Sequence, residues 1–490
     1  MCSYAVAMVC GMQYAVCGMQ YAVCGMQYAV CKVPLIIFNL CLRKSKTKIP
    51  VYARHLSKSQ ITNHKSQITN LIIMIKALRG TYDILPPETT LWQKVEQKTR
   101  ELFASYGYGE IRTPIFERTE LFTRSIGEAT DIVEKEMYTF QDRKGRSCSL
   151  RPEETACVVR ACLEHKLLNQ QGKIHKFFYI GPMFRYDRPQ AGRQRQFNQV
   201  GVELFGSYSP FADAEVITMM VRFFELLGLK NVSVNVNSLG DKESVENYKD
   251  ELKKFIQPKL GDLCPDCNRR FEKNILRLLD CKVPSCKEVF NSPEMPVITN
   301  SLSNVSREHY ETVLSALKDV NVNFVEEPGL VRGLDYYTET IFEITHNSIG
   351  AQDALGGGGR YNNLVKEIGG PATGAVGFAI GVERLILVLK QLDIQAEDCK
   401  DIIYLVSFDE EAIRENLVFA DELRKKGLTA ITGYQKLSVK AQMRQANNIG
   451  AKFVVMRGEN ERAQEFVKVK NMESGEEKVV AVKDLAQNFV

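Results

Sequence analysis

The chain has 490 residues, a net charge of +5, 44% apolar and 25% charged residues, which excludes a disordered or collagen-like polymer and, at about 150 residues per folding unit, suggests roughly three units. Its longest strongly apolar run, near Val33–Leu42, is about half the roughly 20 residues a membrane helix needs, so no transmembrane span is expected. Ten Lys or Arg and no acid precede Asp83; the remainder is net acidic, so contact with a nucleic acid would have to come from local patches.

Residues 1–73 differ in kind from the rest. Tyr-Ala-Val-Cys-Gly-Met-Gln occurs at Tyr14–Gln20 and Tyr21–Gln27, and Lys-Ser-Gln-Ile-Thr-Asn at 58–63 and 65–70. These units are far shorter than the roughly 20–50 residues of a solenoid repeat, so no domain is expected. Two readings stay open. One is an organellar targeting segment, suggested by the missing acids; the other is translated upstream sequence with the functional start near Met74, in which case protein begun there keeps full activity. Six of the fourteen cysteines precede residue 42, four of them inside the repeat. The count is therefore no disulfide framework, and a reducing, cytoplasmic setting is expected.

From Glu88 to Tyr106, Leu91, Trp92, Val95, Leu102 and Phe103 recur at helical spacing until Gly107–Gly109 stops the pattern. A strand is expected at Glu110–Phe116. The β-prone segments Lys176–Arg185 and Phe197–Phe205 flank a polar loop and read as a long antiparallel hairpin. A helix at Ala212–Leu227 and a strand at Val232–Asn237 follow, and then residues 241–320, rich in Lys, Glu, Leu and Asn at helical periodicity, read as an inserted helical module. Strands around Leu334–Ile344, a turn at Gly356–Gly359 and a strand-to-helix run over Gly374–Leu392 come next. Asp393–Lys400 is the best linker. Beyond it, strands and helices alternate, with strands at Ile402–Ser407, Thr429–Tyr434 and Lys452–Arg457, which predicts a small α/β domain on a largely parallel sheet.

Four clusters carry unexplained polarity. Arg185, Arg188, Arg193 and Arg195 face a single counter-charge, Asp187, which suits a polyanion because guanidinium groups grip phosphate oxygens and stack on bases. Phe197 stands beside them, and Gln199 and Glu203 point to one face of the strand that follows. Glu153 and Thr155, two apart on one side of an expected extended segment, could hold an amine or form a surface turn. Arg332 precedes a β-prone stretch whose apolar pattern is broken by Asp335, Tyr336 and Tyr337. Arg384 opens an apolar helix, against the helix dipole, which is explicable if it shares an anionic ligand with the helix start.

With these motifs in place, residues 76–490 resemble a bacterial-type histidyl-tRNA synthetase, a class II aminoacyl-tRNA synthetase. Thr113-Pro114, Phe184–Glu203 and Gly377–Leu385 resemble the three class II motifs. Arg332-Gly-Leu-Asp-Tyr-Tyr337 and Leu355-Gly-Gly-Gly-Gly-Arg-Tyr361 resemble the signatures of the histidine enzymes. Asp187 departs from the Glu common at its position in the class.

The resemblance implies an α+β fold: an antiparallel-sheet catalytic domain over 74–397 with a helical insertion at about 241–320, and a C-terminal α/β anticodon-binding domain over 400–490. It implies that Arg185 holds the α-phosphate of ATP and Arg384 the γ-phosphate, with Phe197 and Arg193 sandwiching adenine. Glu153, Thr155 and Gln199 would bind the ammonium of histidine, and Glu203 and Tyr337 its imidazole, with Tyr336 beside them. Arg332 would reach both the histidine carboxylate and the α-phosphate, and Gln190 the acceptor end of tRNA. Magnesium would accompany ATP, tRNA(His) would be the second substrate, and the enzyme would be a homodimer. The rivals are a catalytically silent paralogue of the same fold that regulates histidine biosynthesis, and a class II enzyme for another amino acid.

Two further features stand apart. Gly356–Gly359 lacks the Lys-Ser/Thr pair of a P-loop, leaving close backbone approach to bound histidine or a plain tight turn. Cys264, Cys267, Cys281 and Cys286 follow C-x₂-C-x₁₃-C-x₄-C, near the spacing of a structural zinc site; reduced thiols without metal are the alternative.

Overall fold

Residues 75–127, 130–170, 172–347, 354–394 and 401–489 are described in the computed structural model. The repeats of 1–73, Met74 and residues 395–400 of the expected linker lie outside them. Among the described residues no helix is long and apolar enough to cross a membrane.

The helix expected after Glu88 is α1 (Glu88–Ser105), which buries Leu91, Trp92, Val95 and Phe103. Two short strands, β1 (Gly109–Glu110) and β2 (Phe116–Arg118), replace the continuous strand expected over Glu110–Phe116; Pro114 between them has no N–H to give a ladder. Then come α2 (Thr119–Ile126), β3 (Thr139–Gln141), β4 (Ser147–Leu150), α3 (Thr155–Glu164) and the expected hairpin, β5 (His175–Phe184) with β6 (Gln196–Phe205). Next are α4 (Pro210–Leu226), β7 (Ser233–Ser238), α5 (Lys242–Ile256), α6 (Pro265–Lys273), α7 (Pro284–Phe290) and α8 (Asn304–Asp319). The unit ends with β8 (Val325–Glu326), β9 (Thr338–Thr345), β10 (Ala354–Arg360), α9 (Leu364–Glu367), β11 (Ala375–Gly381) and α10 (Val382–Gln391).

An eight-stranded sheet of order β1-β5-β6-β11-β10-β9-β7-β8 organises this part. Its interior pairings are antiparallel, and only the short edge strands β1 and β8 pair in parallel. Strand alternation gives the sheet two chemically distinct faces. Val200, Val202 and Leu204 of β6, Val376, Phe378 and Ile380 of β11, and Phe342 and Ile344 of β9 enter one core with α1, α4, α8 and α10. Phe103 of α1 lies there with its ring centroid 5.5–5.8 Å from those of Phe178, Phe223 and Phe378. The opposite face carries Gln199 and Glu203 and builds the site.

Helix α8, which the sequence reading groups with 241–320, packs Tyr310, Val313 and Leu317 into this main core. Leu239–Ile298 instead surround a separate small core that includes Tyr248, Leu252, Ile256 and three of the four clustered cysteines.

The expected turn at Gly356–Gly359 is absent: all four glycines lie inside β10, paired to β9 and β11. The last unit holds β12 (Ile402–Val406), α11 (Glu410–Lys425), β13 (Thr429–Thr432), α12 (Val439–Asn448), β14 (Phe453–Met456), α13 (Glu459–Ala463), β15 (Phe466–Asn471) and β16 (Glu477–Ala481). Its sheet order is β13-β12-β14-β15-β16. The expectation of a largely parallel sheet is corrected, because β14–β15 and β15–β16 are antiparallel. The connection from β15 to β16 is a tight turn in which Asn471 Oδ1 accepts from the Glu473 and Ser474 amides. So short a link cannot return a strand in parallel.

Candidate active site

The polar face of the sheet forms the floor of a cavity of about 420 Å³. Two registered rows cross it: Tyr179–Gly201–Ala379–Gly357–Glu343 and Phe177–Glu203–Gly377–Gly359–Ile341. Two of these glycines are sterically required. A Cβ on Gly377 would sit 2.2 Å from Glu203 Oε2 and 2.3 Å from the Val202 carbonyl oxygen, and one on Gly357 would sit 2.9 Å from Arg332 Cζ. The glycine run thus makes room for side chains that reach over it.

Arg185, Arg193, Arg332 and Arg384, from three distant segments, all line this one cavity, as do Glu153, Thr155, Phe197, Gln199, Glu203, Tyr336 and Tyr337. Arg185 follows β5 directly; its Nε donates to the Pro152 carbonyl (2.8 Å) and its guanidinium carbon lies 5.2 Å from the Phe197 ring centroid. Arg193 pairs with Asp187 at 3.2 Å. Arg384, in the first turn of α10, donates from Nη1 to the Ala354 carbonyl (2.7 Å). Burial and the neighbouring Arg193 charge lower its pKa, so its guanidinium sits beside another cation with an anion still to be supplied. Arg332 lies on the irregular Val331–Tyr337 loop and pairs with Glu343. Gln190, at the hairpin tip in a backbone bridge with Arg193, is not among the lining residues.

The expected extended segment at Glu153–Thr155 is corrected. Thr155 begins α3, and the Glu153 carboxylate accepts from the amides of Thr155 (2.8 Å) and Ala156 (3.0 Å), capping the helix. A carboxylate there satisfies otherwise orphaned N–H groups and complements the helix dipole. Burial still pushes the Glu153 pKa up.

Glu203 is 1% exposed, and burial raises its pKa to about 8. It accepts from Thr155 Oγ1 (2.7 Å) and from the Tyr361 hydroxyl. Tyr336 packs between Tyr337 and Tyr361, at 4.7 and 5.6 Å between centroids. Three buried polar atoms in the lining, Tyr179 Oη, Gln199 Oε1 and Arg332 Nε, have no hydrogen-bond partner among the described residues. Native interiors seldom leave such atoms unpaired, so they point to a polar ligand.

Sequence reasoning missed Tyr179, Glu343 and the role of Tyr361. Glu343 left a signal, a lone acid between Phe342 and Ile344 in an apolar strand; Tyr179 in Phe-Phe-Tyr-Ile left none. Arg360 of the same glycine motif lies outside the cavity. It is fully buried, donating to the Ser207 and Ser209 carbonyls and pairing with Asp213, which also meets His309 Nε2 at 2.7 Å.

Away from the cavity, the sulfur atoms of Cys264, Cys267, Cys281 and Cys286 all lie within 4.8 Å of one another, and none forms a disulfide. A tetrahedral zinc with Zn–S of about 2.3 Å sets sulfurs about 3.8 Å apart; Cys264 and Cys281 are 3.9 Å apart. The Cys267 amide N–H lowers the pKa of the Cys264 thiol, whereas burial raises those of Cys267 and Cys286.

Residues 80–385 match the family described as Histidyl-tRNA synthetase, and residues 401–490 the one described as Anticodon binding domain. The Histidine–tRNA ligase of Halothermothrix orenii is 49% identical over 417 residues, covering 85% of this chain and 99% of that protein. That of Natranaerobius thermophilus is 45% identical over 418 residues with the same shares. The crystal structure of apo S. aureus histidyl-tRNA synthetase superposes with a TM-score of 0.72 at 38% identity, covering 85% of this chain and all of that one.

Proposed function

The chain belongs to the histidyl-tRNA synthetase family, and from that premise we propose how its cavity works. It is a histidine–tRNA ligase: it joins histidine to ATP with release of pyrophosphate, then transfers the histidyl group to tRNA(His). ATP brings a divalent ion with it, magnesium in our reading. The regulatory paralogue and the synthetase for another amino acid are set aside, because the relatives over nearly their whole length are histidine–tRNA ligases.

The observation that carries the mechanism is the convergence of Arg185, Arg332 and Arg384 on one cavity beside Glu203. In adenylation a carboxylate attacks the α-phosphorus, two anions that repel. Arg185 holds the α-phosphate and Arg384 the γ-phosphate, while Phe197 and Arg193 sandwich the adenine. Arg332 touches the histidine carboxylate and the α-phosphate together, holding the reactants in line and stabilising charge as it builds. Glu343 aims the Arg332 guanidinium across the Gly357 gap.

The histidine ammonium sits against Glu153, Thr155 and Gln199, whose Oε1 supplies an open acceptor. Glu203 and Tyr337 grip the imidazole, with Tyr336 and Tyr361 as its walls. An apolar competitor would leave these buried groups unpaired, a penalty that supports discrimination of about 10⁴–10⁵ without editing. Histidine-dependent exchange of pyrophosphate into ATP tests the assignment. Arg332→Ala should lower it by at least about 10²–10³, and exchange that is equal with several amino acids would refute the reading.

Several finer assignments accompany this. The catalytic domain spans 74–397 and the anticodon-binding domain 400–490. Gln190 at the hairpin tip approaches the acceptor end. The enzyme is a homodimer: exposed Ile115, Phe116 and Phe140 beside Thr113-Pro114 offer an apolar surface for a second copy. The free cysteines suit the cytoplasm. The four clustered cysteines hold a structural zinc ion, supported by an all-thiol donor set whose sulfurs lie within 4.8 Å of one another.

A further inference from the structure

We propose that the four-cysteine centre is a clasp that holds one arm of the insertion against the activation cavity, so that metal loading sets the position of Arg332. The proposal rests on the zinc and synthetase readings above and goes beyond both, since it assigns the metal a part in histidine activation.

The arm is the chain between the second and third cysteines, residues 268–280. It consists of most of α6 and a 3₁₀ turn over Ile275–Leu278. Four of its side chains cross to the catalytic part. Arg270 Nη2 lies 3.4 Å from Asp131 Oδ2, and Lys273 Nζ donates to Glu134 Oε1 at 3.0 Å. Asn274 Nδ2 donates to Asp335 Oδ1 at 3.0 Å. Arg277, 8% exposed, lies 3.7 Å from Asp131 and donates from Nη1 to the carbonyl oxygen of Arg332 at 3.3 Å. Two of these contacts fall on the loop that carries Arg332, at Arg332 itself and at Asp335. The arm's far end also enters the site, because Asp280 and Lys282, on either side of Cys281, line the same cavity.

Such an arm cannot hold this position alone. A nine-residue helix is below the length at which isolated helices persist in water. The ion pairs to Asp131 and Glu134 are partly exposed, and pairs of that kind contribute little. The core beneath is small, and small cores rely on staples such as a structural metal. A bond from Cys267 and Cys281 to one ion closes the arm at both ends. Arg277 is then a positioning residue: it touches neither substrate and acts through the Arg332 backbone.

The test uses the full chain, as purified with zinc, after zinc removal by a chelator, and as Arg277→Met and Arg277→Lys. Zinc content is measured beside pyrophosphate exchange, with kcat and the KM values for histidine and ATP determined separately. The purified chain should carry about one zinc. Zinc removal and Arg277→Met should each lower kcat/KM for histidine at least about tenfold, as expected when a reacting group is misplaced. The KM for ATP should change less than that for histidine, since Arg384 and Phe197 are untouched and only the α-phosphate contact of Arg332 is shared. Zinc should restore the stripped protein but not Arg277→Met, which keeps its metal, and Arg277→Lys should recover part of the loss. Bound zinc whose removal leaves exchange unchanged, or Arg277→Met with wild-type constants, overturns the coupling alone. A chain without zinc but with full exchange overturns the zinc reading and the clasp together. Absence of histidine-dependent exchange in the loaded wild type would instead strike the synthetase reading.

Discussion

Glu203→Gln isolates the charge at the base of the imidazole pocket. Burial lifts this carboxyl to about 8, against about 4.3 in an unfolded chain. Across that window the native chain binds a proton that the unfolded chain has released, so stability falls as pH rises from about 4.3 to about 8 and is level above. The full shift corresponds to about 5 kcal/mol, and the part lost between pH 6 and pH 8, where the native carboxyl is half ionised, to roughly 2 kcal/mol. Glutamine keeps the shape and has no proton to lose. Its stability advantage over the wild type should therefore grow by roughly 2 kcal/mol from pH 6 to pH 8 in the ligand-free protein. The single tryptophan, Trp92, buried behind the sheet, reports unfolding by fluorescence in denaturant titrations. Binding should change as well. The imidazole brings one donor and one acceptor nitrogen, so the complex shares one proton between ring and carboxyl. Histidine affinity in the wild type should be level between about pH 6.5, where the free ring loses its extra proton, and about pH 8. The alkaline limb should vanish in Glu203→Gln. An advantage that is the same at pH 6 and pH 8 would refute the burial argument.

Tyr361→Phe removes a hydrogen bond that lowers the Glu203 pKa; the alkaline limb of histidine affinity should survive but move to higher pH, as read from KM against pH. Gly377→Ala drives a methyl group onto the Glu203 carboxylate and onto the Val202 carbonyl, which cannot retreat. It should cost about 1–3 kcal/mol in chemical denaturation and abolish most histidine-dependent exchange.

The arginines were legible because each was a charge in the wrong place: four in a hairpin with one counter-ion, one before an apolar strand, one at a helix start. Their convergence was not, since it depends on which strands become neighbours. Glu153 was misplaced although Pro152-Glu-Glu ahead of the apolar run Thr155–Cys162 carries the acidic signature of a helix start. The glycines of β10 look like a turn in sequence because glycine is a poor strand former; pairing on both sides overrides that preference. In the last unit, Val467, Val469 and Val480 held the period of the two unread strands, but the alternating helices before them suggested parallel pairing throughout. The cysteine spacing is visible in the sequence. What it holds in place is not, because Arg277 meets Arg332 only after the insertion docks.

The floor beneath the reacting atoms is mostly main chain, its hydrogen bonds committed to neighbouring strands. A designer seeking another amino acid substrate therefore has no tiles to swap there, only partitions such as Glu203, Tyr337 and Tyr361 that rise around it. Libraries confined to those partitions should yield many folded proteins, whereas libraries at Gly357 and Gly377 should yield few.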